Sequence, residues 1–369
     1  MKRVKYFIAS GIIFMFILNV SVVILVFSQS NNQEITLREI GQIDNSGFVR
    51  DVVVKDDIAY IADMAPHGGL WIINVTNPQE PTNMGQFFDG GIAHHLFVDG
   101  DVVFVADNIG GLEILNVTDP FNPTKIGQIN GQFNDLDVEG NIIYATDYLE
   151  GLYIFDVSNL TYPIELGRFE DVEMAQPVTI VDNLAYVTDN SGMNVLNVTD
   201  PSNITQLGQY AYNMSHIQIN GDFAYLACSR SWLEKGDDGF KILDISNNFT
   251  EIGNYTDGGK PVDLYVADDI AIIGDINDGI KVLDIHDPSN ITKITHYYDG
   301  GDATDIQVVE DLIFVADGYD GLEILQMEKI VQTELIGIPS LELVLVLFSS
   351  ISVLIIKRTS ITKEKYSKE

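Results

Sequence analysis

The stretch GLEILNVTDPFNPTKIGQ, residues 111–128, decides the fold because recognisable copies of it recur along the chain. Each copy opens on a glycine, continues as an alternating apolar run and, except in the last, reaches a turn. The other copies begin at Gly69, Gly151, Gly192, Gly239, Gly279 and Gly321, and the last one is truncated. Seven copies of short strands at a period of about 40 residues are typical of a propeller, in which small sheets pack radially.

Each repeat has the pattern of four short strands, A to D. In the second repeat the four segments are 94–98, 101–107, 112–117 and 124–129. The Asp99–Gly100 pair between strands A and B suits the positive φ of a two-residue hairpin, and Pro120 fixes the turn between strands C and D. The segments are rich in Val, Ile, Tyr and Phe and have no helical period, which predicts an all-β chain.

The two ends of the array predict how the ring closes. The seventh repeat has strands A, B and C but no strand D, whereas the first repeat is preceded by ITLREIGQID, residues 35–44. Its IGQI, residues 40–43, is identical to residues 126–129 in strand D of the second repeat. We therefore expect the N-terminal strand to complete the last blade of a seven-bladed β-propeller.

These motifs resemble a known repeat family. The GLxILDVxDPxxP unit, preceded by a strand that ends in VAD, resembles the LVIVD repeat over about residues 35–329. The resemblance implies a surface or secreted β-propeller, a class in which most members have no assigned biochemical activity. The fifth repeat departs from the pattern, because Cys228 stands where most other repeats have Asp and a long insertion follows it.

The charge of the chain limits its partners. The 369 residues contain 54 Asp and Glu but only 20 Lys and Arg, and eight of those basic residues lie in the two tails. So acidic a surface repels phosphate backbones, which excludes nucleic acid as a partner and favours cations or basic partners. The single cysteine excludes an internal disulfide framework.

Residues 1–30 have the pattern of an export signal. Basic residues at positions 2, 3 and 5 precede a nearly uninterrupted apolar run, residues 7–27, and Ser28 and Ser30 are small residues suited to signal peptidase. The segment is long enough to span a bilayer if it is retained. It therefore predicts a helix that acts either as a cleaved signal peptide or as a signal anchor.

The C-terminal residues predict a membrane anchor. After a propeller over 31–330 and a linker over 331–340, residues 341–357 form an apolar transmembrane helix and 358–369 a basic cytoplasmic tail. The alternative is a buried helix of a soluble protein. The segment also resembles the C-terminal sorting tails of archaeal surface proteins. The expected location is the cell membrane, with the propeller outside.

Two sets of side chains are candidate sites. In a propeller, the B–C and D–A loops share one face, which we call the top, and the A–B and C–D loops share the bottom. Six B strands end at the top in an aspartate, which either accepts backbone N–H groups of the turn or contributes to a cation-binding face. These residues are Asp63, Asp107, Asp147, Asp189, Asp275 and Asp317.

The second set, which we call the channel ring, lies where each strand A enters beside the central channel. It comprises Asp51, His95, Asp135, His216, Asp263 and Asp305, with Pro177 at this position in the fourth blade. Carboxylates favour calcium and imidazoles favour zinc, so either ion is a candidate ligand. Alternatively, each carboxylate accepts backbone amides of the next blade. The chain has no HExxH or CxxC spacing.

Loops carry further candidates. The insertion of the fifth repeat places Arg230, Trp232 and Lys235 on an acidic surface, where the Trp either contacts a partner or caps the neighbouring blade. Loop sequons of the bottom face offer glycosylation sites at Asn159, Asn203, Asn248 and Asn290.

The sequence favours an interaction module over an enzyme. It contains no nucleophile elbow, phosphate loop or Ser-His-Asp arrangement. We expect a membrane-anchored extracellular propeller that acts in surface interaction, adhesion or ligand binding through its acidic top face, with a protein or glycan partner. The alternative is a metal-dependent lyase or hydrolase that uses the channel ring.

Overall fold

A computed structural model of the chain describes residues 13–18, 21–26, 33–44, 47–65, 68–170, 175, 177–189, 192–212, 214–229 and 238–331. Within these residues the chain forms seven four-stranded antiparallel sheets and one separate hairpin. The propeller residues Leu37–Met327 form one compact unit. Short 3₁₀ turns in the described part of the chain are Pro201–Asn203 and Pro288–Asn290.

Each sheet is a blade with strands A to D, and the blades are numbered in chain order. The A strands are Val49–Lys55, His95–Asp99, Phe133–Glu139, Val178–Val181, Met214–Asn220, Pro261–Ala267 and Asp305–Val309. The B strands are Ile58–Asp63, Val102–Ala106, Ile142–Asp147, Leu184–Asp189, Phe223–Cys228, Ile270–Asp275 and Leu312–Ala316. The C strands are Gly69–Asn74, Leu112–Asn116, Gly151–Asp156, Gly192–Asn197, Gly239–Asp244, Gly279–Asp284 and Leu322–Val331. The D strands of blades 1 to 6 are Thr82–Phe87, Thr124–Ile129, Ile164–Phe169, Thr205–Tyr210, Thr250–Tyr255 and Thr292–Tyr297, and strand D of blade 7 is Gln33–Ile43.

The N-terminal strand closes the ring, as predicted. Gln33–Ile43 lies beside Leu322–Val331 in the last sheet, after the first two strands of blade 7. Strand A of each blade contacts strand A of the next, including blade 7 with blade 1. The seven-bladed propeller is therefore confirmed.

The hydrophobic core lies between blades rather than inside one sheet. One cluster joins Ile61 and Ile73 of blade 1 to Phe314 and Ile324 of blade 7, all almost fully buried. Another joins Ile72 of blade 1 to residues of blade 2. A four-stranded sheet has two faces to bury, so each blade depends on both of its neighbours.

Glycines in the D strands let neighbouring blades approach closely. A Cβ at Gly127 of blade 2 would overlap the carbonyl oxygen of Leu160, in the C–D turn of blade 3. A Cβ at Gly41, in strand D of blade 7, would likewise overlap the carbonyl oxygen of Pro78 in blade 1. The same close contact therefore forms where blade 7 joins blade 1. Blade 6 has Thr295 at this position, and the next blade has no C–D turn because its strand D comes from the N-terminus. A side chain at this position is therefore tolerated in blade 6, because no C–D turn of the next blade approaches it.

We expect Gly127→Val to destabilise the propeller by about 2–3 kcal/mol, because the new side chain forces the turn of blade 3 away from blade 2. The matched control is Thr295→Val, which keeps the shape of the side chain where no turn approaches and should change the free energy of unfolding by less than about 0.5 kcal/mol. Chemical denaturation of both variants measures the difference. Equal effects would contradict the role assigned to the turn.

The described part of the N-terminal apolar segment is not the predicted helix. Ile13–Leu18 and Ser21–Val26 are strands that pair with each other as an antiparallel hairpin. Their sequences, IFMFIL and SVVILV, consist mostly of β-branched and aromatic residues, which favour strands over helices. The length and hydropathy of the apolar run predict a helix, but these two properties do not separate a helix from a strand.

Within the described residues, no helix has the length and apolar character needed to cross a membrane. The predicted transmembrane segment 341–357 and the basic tail 358–369 lie outside the described residues. Ile43 lies at the top beside Gly321, at the start of the adjacent strand C. The opposite ends of these two strands, near Leu37 and Met327, therefore leave the propeller at the bottom face.

Candidate functional site

The structure brings the six residues of the channel ring together. His95 of blade 2 lies between two carboxylates, with Nε2 3.9 Å from Asp51 Oδ2 and Nδ1 3.9 Å from Asp135 Oδ1. His216 Nδ1 of blade 5 lies 2.7 Å from Asp263 Oδ1 of blade 6. The two imidazoles are partly exposed, with 34% and 41% of their side-chain surface accessible, whereas Asp51 and Asp263 are buried.

Three ring carboxylates also bind the backbone of the following blade. The Leu96 N–H of blade 2 donates to Asp51, and the Ile306 N–H of blade 7 donates to Asp263 Oδ2 at 2.8 Å. Across the closure, the Val52 N–H donates to Asp305 Oδ2 at 3.0 Å. Part of the ring therefore links strand A of one blade to strand A of the next.

Residues two positions further along strand A extend these links. Gln307 of blade 7 accepts from the Val54 N–H and donates to the Val54 carbonyl. Gln218 of blade 5 makes the same pair of bonds to Val266, at 2.7 and 2.8 Å. Side chains thus supply hydrogen bonds that adjacent A strands do not form through their own backbones.

The protonation of the ring is set by burial and by these neighbours. Burial raises the pKa of Asp135 to about 6. Burial, together with the charges of Asp263 and Asp51, holds the pKa of Asp305 well above its usual range. Burial lowers the pKa of His216, but the Asp263 carboxylate outweighs it and the net pKa is raised. The ring therefore holds protons that isolated carboxylates would release.

The geometry of the ring differs from that of a compact metal centre. Each nitrogen of His95 contacts a different carboxylate, so these groups are spread along the circumference of the channel. Among the described residues, groups of three or more ligand atoms within 4.8 Å of one another occur elsewhere, in blades 2 and 7. Calcium or zinc at the ring stays a prediction from sequence.

We expect Asp263→Asn to lower the pKa of His216, because burial then acts without its main opposing charge. The raised histidine pKa stabilises the fold at low pH, and this contribution is lost as the pH rises through the folded-state pKa. The variant should lose about 1 kcal/mol of stability at pH 5.5, a small value because His216 is partly solvated. The loss should shrink towards pH 8.

The measurement is an NMR titration of the imidazole signals together with denaturation at both pH values. Asp269→Asn is the control for the change of charge, since Asp269 and its neighbour His286 are both exposed. An unchanged His216 titration would contradict the ion pair.

Four of the strand-B aspartates accept backbone N–H groups of their own B–C loop. Asp63 accepts from Ala65, Asp147 from Leu149 and Glu150, Asp189 from Gly192 and Asp275 from Asn277, at 2.8–3.1 Å. This confirms the turn interpretation for these four. The remaining two, in blades 2 and 7, belong to a different arrangement.

Charged clusters on the top face of blades 2, 6 and 7 were not predicted from sequence. Each cluster combines three positions. The first is the aspartate of an Asp-Gly-Gly motif in the preceding D–A loop, and the second is the aspartate at or just after the end of strand B. The third is a residue of strand C, two positions after the glycine that opens or directly precedes this strand. In blade 6 that residue is Lys281, whose buried Nζ lies 2.9 Å from Asp257, 2.9 Å from Asp275 and 3.0 Å from Asp278.

Blades 2 and 7 have a glutamate where blade 6 has its lysine. Carboxylate oxygens of Asp89, Asp107 and Glu113 lie within 4.8 Å of one another in blade 2, and those of Asp299, Asp317 and Glu323 do so in blade 7. In blade 2, Lys125 of strand D reaches the group and contacts Asp89 and, at 3.1 Å, Glu113. The triple occurrence of Asp-Gly-Gly, with a charged residue after each following Gly-Leu or Gly-Ile pair, was the sequence signal for these clusters.

The other predicted positions are distributed as follows. Arg230, Trp232 and Lys235 lie outside the described residues, between Ser229 and Asp238. Asn159, Asn203, Asn248 and Asn290 are all exposed, at or beside the C–D turns of the bottom face. Their glycosylation stays a prediction.

The top face also exposes large apolar side chains. Ile109, Leu149 and Tyr319 occupy the same position in the B–C loops of blades 2, 3 and 7, and are 66%, 68% and 75% exposed. Phe88 and Tyr298, in D–A loops of the same face, are 38% and 48% exposed. These residues lie among the carboxylates described above.

Comparison with known structures supports the fold. The computationally designed Ika8 protein has 10% sequence identity and a TM-score of 0.58, over 78% of this chain and 99% of that one. The Pan2 WD40 domain of Neurospora crassa has 12% identity and a TM-score of 0.63, over 79% and 95%. At such identities the likeness concerns the fold alone.

Sequence comparison identifies the repeats themselves. No curated protein sequence matches the chain significantly. The LVIVD repeat profile matches seven times, at residues 46–89, 90–131, 130–171, 173–212, 213–257, 258–299 and 300–326. An LVIVD propeller is typically a non-catalytic interaction module, in agreement with the prediction that the chain is not an enzyme. On the residues that build its blades, the chain belongs to the LVIVD repeat family.

Proposed function

We propose that the protein is a membrane-anchored propeller that binds a protein partner outside the cell through its top face. The observation that carries this proposal is the set of exposed apolar residues Ile109, Leu149 and Tyr319 at equivalent loop positions on an acidic face. Exposed apolar groups surrounded by polar ones are typical of interaction surfaces. The complementary partner has apolar groups surrounded by basic residues.

The rest of the chain supports the anchored topology. Residues 1–30 and 341–357 have the sequence features of an export signal and a membrane anchor. The chain leaves the propeller at the bottom face, near Leu37 and Met327. This exit lies on the face opposite the B–C and D–A loops, which supports the top face as the surface that meets a partner.

Photo-crosslinking tests the binding face. A photoreactive amino acid at Asn277, the equivalent loop position of blade 6, should give one defined protein adduct in cells that express the full-length chain. The adduct should disappear when Ile109, Leu149 and Tyr319 are all changed to Ser. It should persist when Phe121, Tyr162 and Leu207 are changed to Ser. Phe121 and Tyr162 lie in C–D turns of the bottom face and Leu207 lies in strand D of blade 4, and their exposures of 62%, 73% and 60% are comparable.

Loss of the adduct in the bottom-face variant alone would contradict the proposal, as would an adduct that both variants retain. The topology has a separate test. A protease added to intact cells should release a fragment that contains the propeller, whereas protection of the propeller until the cells are lysed would exclude an extracellular location.

A further inference from the structure

Three blades share one geometry on their top face, and in two of them a lysine already provides the cation. In blade 6 the ammonium of Lys281 is surrounded by the carboxylates of Asp257, Asp275 and Asp278. In blade 2 the ammonium of Lys125 arrives from strand D instead. A lysine therefore pairs with the carboxylates in both blades, although it belongs to strand C in blade 6 and to strand D in blade 2.

Blade 7 has an acidic residue at both of these positions. Glu323 occupies the position of Lys281, and Glu39 occupies that of Lys125 in the closing strand. The hydroxyl of Tyr297 lies 2.8 Å from Glu323 Oε1 and 3.3 Å from Glu39 Oε2, so it joins these two carboxylates. Among the described residues, no lysine or arginine forms an ion pair with Asp299, Asp317 or Glu323.

Asp317 gives a second, independent indication that a ligand is missing from this cluster. It is 3% exposed, and its buried Oδ2 has no hydrogen-bond partner. Asp107 of blade 2 likewise has one unpartnered carboxylate oxygen, whereas Asp147 and Asp275 accept from loop amides and Asp275 also pairs with Lys281. A buried carboxylate oxygen without a partner is costly, and bound cations commonly satisfy such groups.

We propose that Asp299, Asp317 and Glu323 of blade 7 bind a calcium ion, with Glu39 beside the site. The group offers only carboxylate oxygens, which calcium prefers, and contains no histidine or cysteine that would favour zinc. Asp299 is exposed, so solvent can complete the six to eight ligands that calcium takes. The site differs from the channel ring in position and in ligand type.

Terbium luminescence tests the site in the full-length chain, purified in detergent and freed of metal. Tb³⁺ substitutes for calcium, and Tyr297 beside Glu323 is placed to sensitise its emission. We expect sensitised emission with one ion per chain, displaced by Ca²⁺ but not by equimolar Zn²⁺. Glu323→Gln should weaken Ca²⁺ binding about tenfold or more, because it removes one charged ligand.

The matched control is Glu113→Gln in blade 2, where Lys125 already pairs with Asp89 and Glu113, and it should leave Ca²⁺ binding unchanged. Asp299→Asn tests the same site through an exposed ligand, which separates loss of binding from loss of folding. Emission that Glu323→Gln and Asp299→Asn both leave intact would overturn the proposal. So would the absence of Ca²⁺ binding at pH 8 by calorimetry.

Discussion

Deletion of residues 33–43 is expected to abolish the cooperatively folded ring. These residues form strand D of blade 7, and their side chains Ile40 and Ile43 pack against the core between blades 7 and 1. Two fully buried isoleucines would contribute about 3–6 kcal/mol, and these two are partly buried, so their loss alone removes somewhat less than that from the roughly 5–15 kcal/mol that stabilises a typical domain. The deletion also leaves strand C of blade 7 as an unpaired edge, which favours aggregation.

Calorimetry and size-exclusion chromatography measure the effect. The control is a chain that lacks residues 1–32, because the hairpin Ile13–Val26 is grouped outside the compact unit Leu37–Met327. The control should unfold at the same temperature as the parent chain. A synthetic peptide of residues 33–44, added to the deleted chain, should restore a cooperative transition. If the deleted chain unfolds like the parent, the assigned closure is wrong.

Lys281→Met is expected to destabilise the propeller by about 3–5 kcal/mol. The substitution keeps the length of the side chain but leaves Asp275, which is 1% exposed, without the cation that balances it. Three carboxylates then face one another at the top of blade 6. Burial lowers the pKa of Lys281, but these carboxylates outweigh it and keep the group charged. Urea denaturation at pH 7 gives the free energy difference.

Lys241→Met in blade 5 is the matched control, at the same strand position. Its partner Glu251, at 3.0 Å, is about one-third exposed, so water can solvate the carboxylate once the lysine is gone. We expect this variant to lose less than half as much stability as Lys281→Met. A larger loss in Lys241→Met would show that packing of the lysine stems, rather than the buried carboxylates, determines the effect.

The blade number and the closure could be predicted from sequence because they depend on local patterns. Pairing between segments is specified by the two-residue turns, by the alternating apolar pattern and by the IGQI match at residues 40–43. The observed sheets have the pairing that these patterns predict. The apolar segment near the N-terminus was different. Its hydropathy suits a helix and a strand equally, and Ile13–Leu18 is a strand.

The candidate sites were predictable only in part. Alignment on strand B placed Asp51, His95 and Asp135 at one rim, and His95 does lie between the two carboxylates. The blade 7 cluster was missed because its members lie in three different elements of the repeat: a loop, the end of strand B and strand C. The Asp-Gly-Gly motif and the charged residue after the following Gly-Leu pair mark two of its members in the sequence, but only the pairing of the strands brings Asp299 and Glu323 together.

The shared last blade also orders events in time. Strand D of blade 7 is synthesised first and its three partner strands last, so the ring stays open until residue 327 has been made. Blades 1 to 6 can stack progressively, each on its neighbour. Strand D of blade 7 stays unpaired until strand C of the same blade has been synthesised. Maturation of this propeller should therefore end in a single late joining step, and a chain interrupted before blade 7 would be left with its leading strand unpaired.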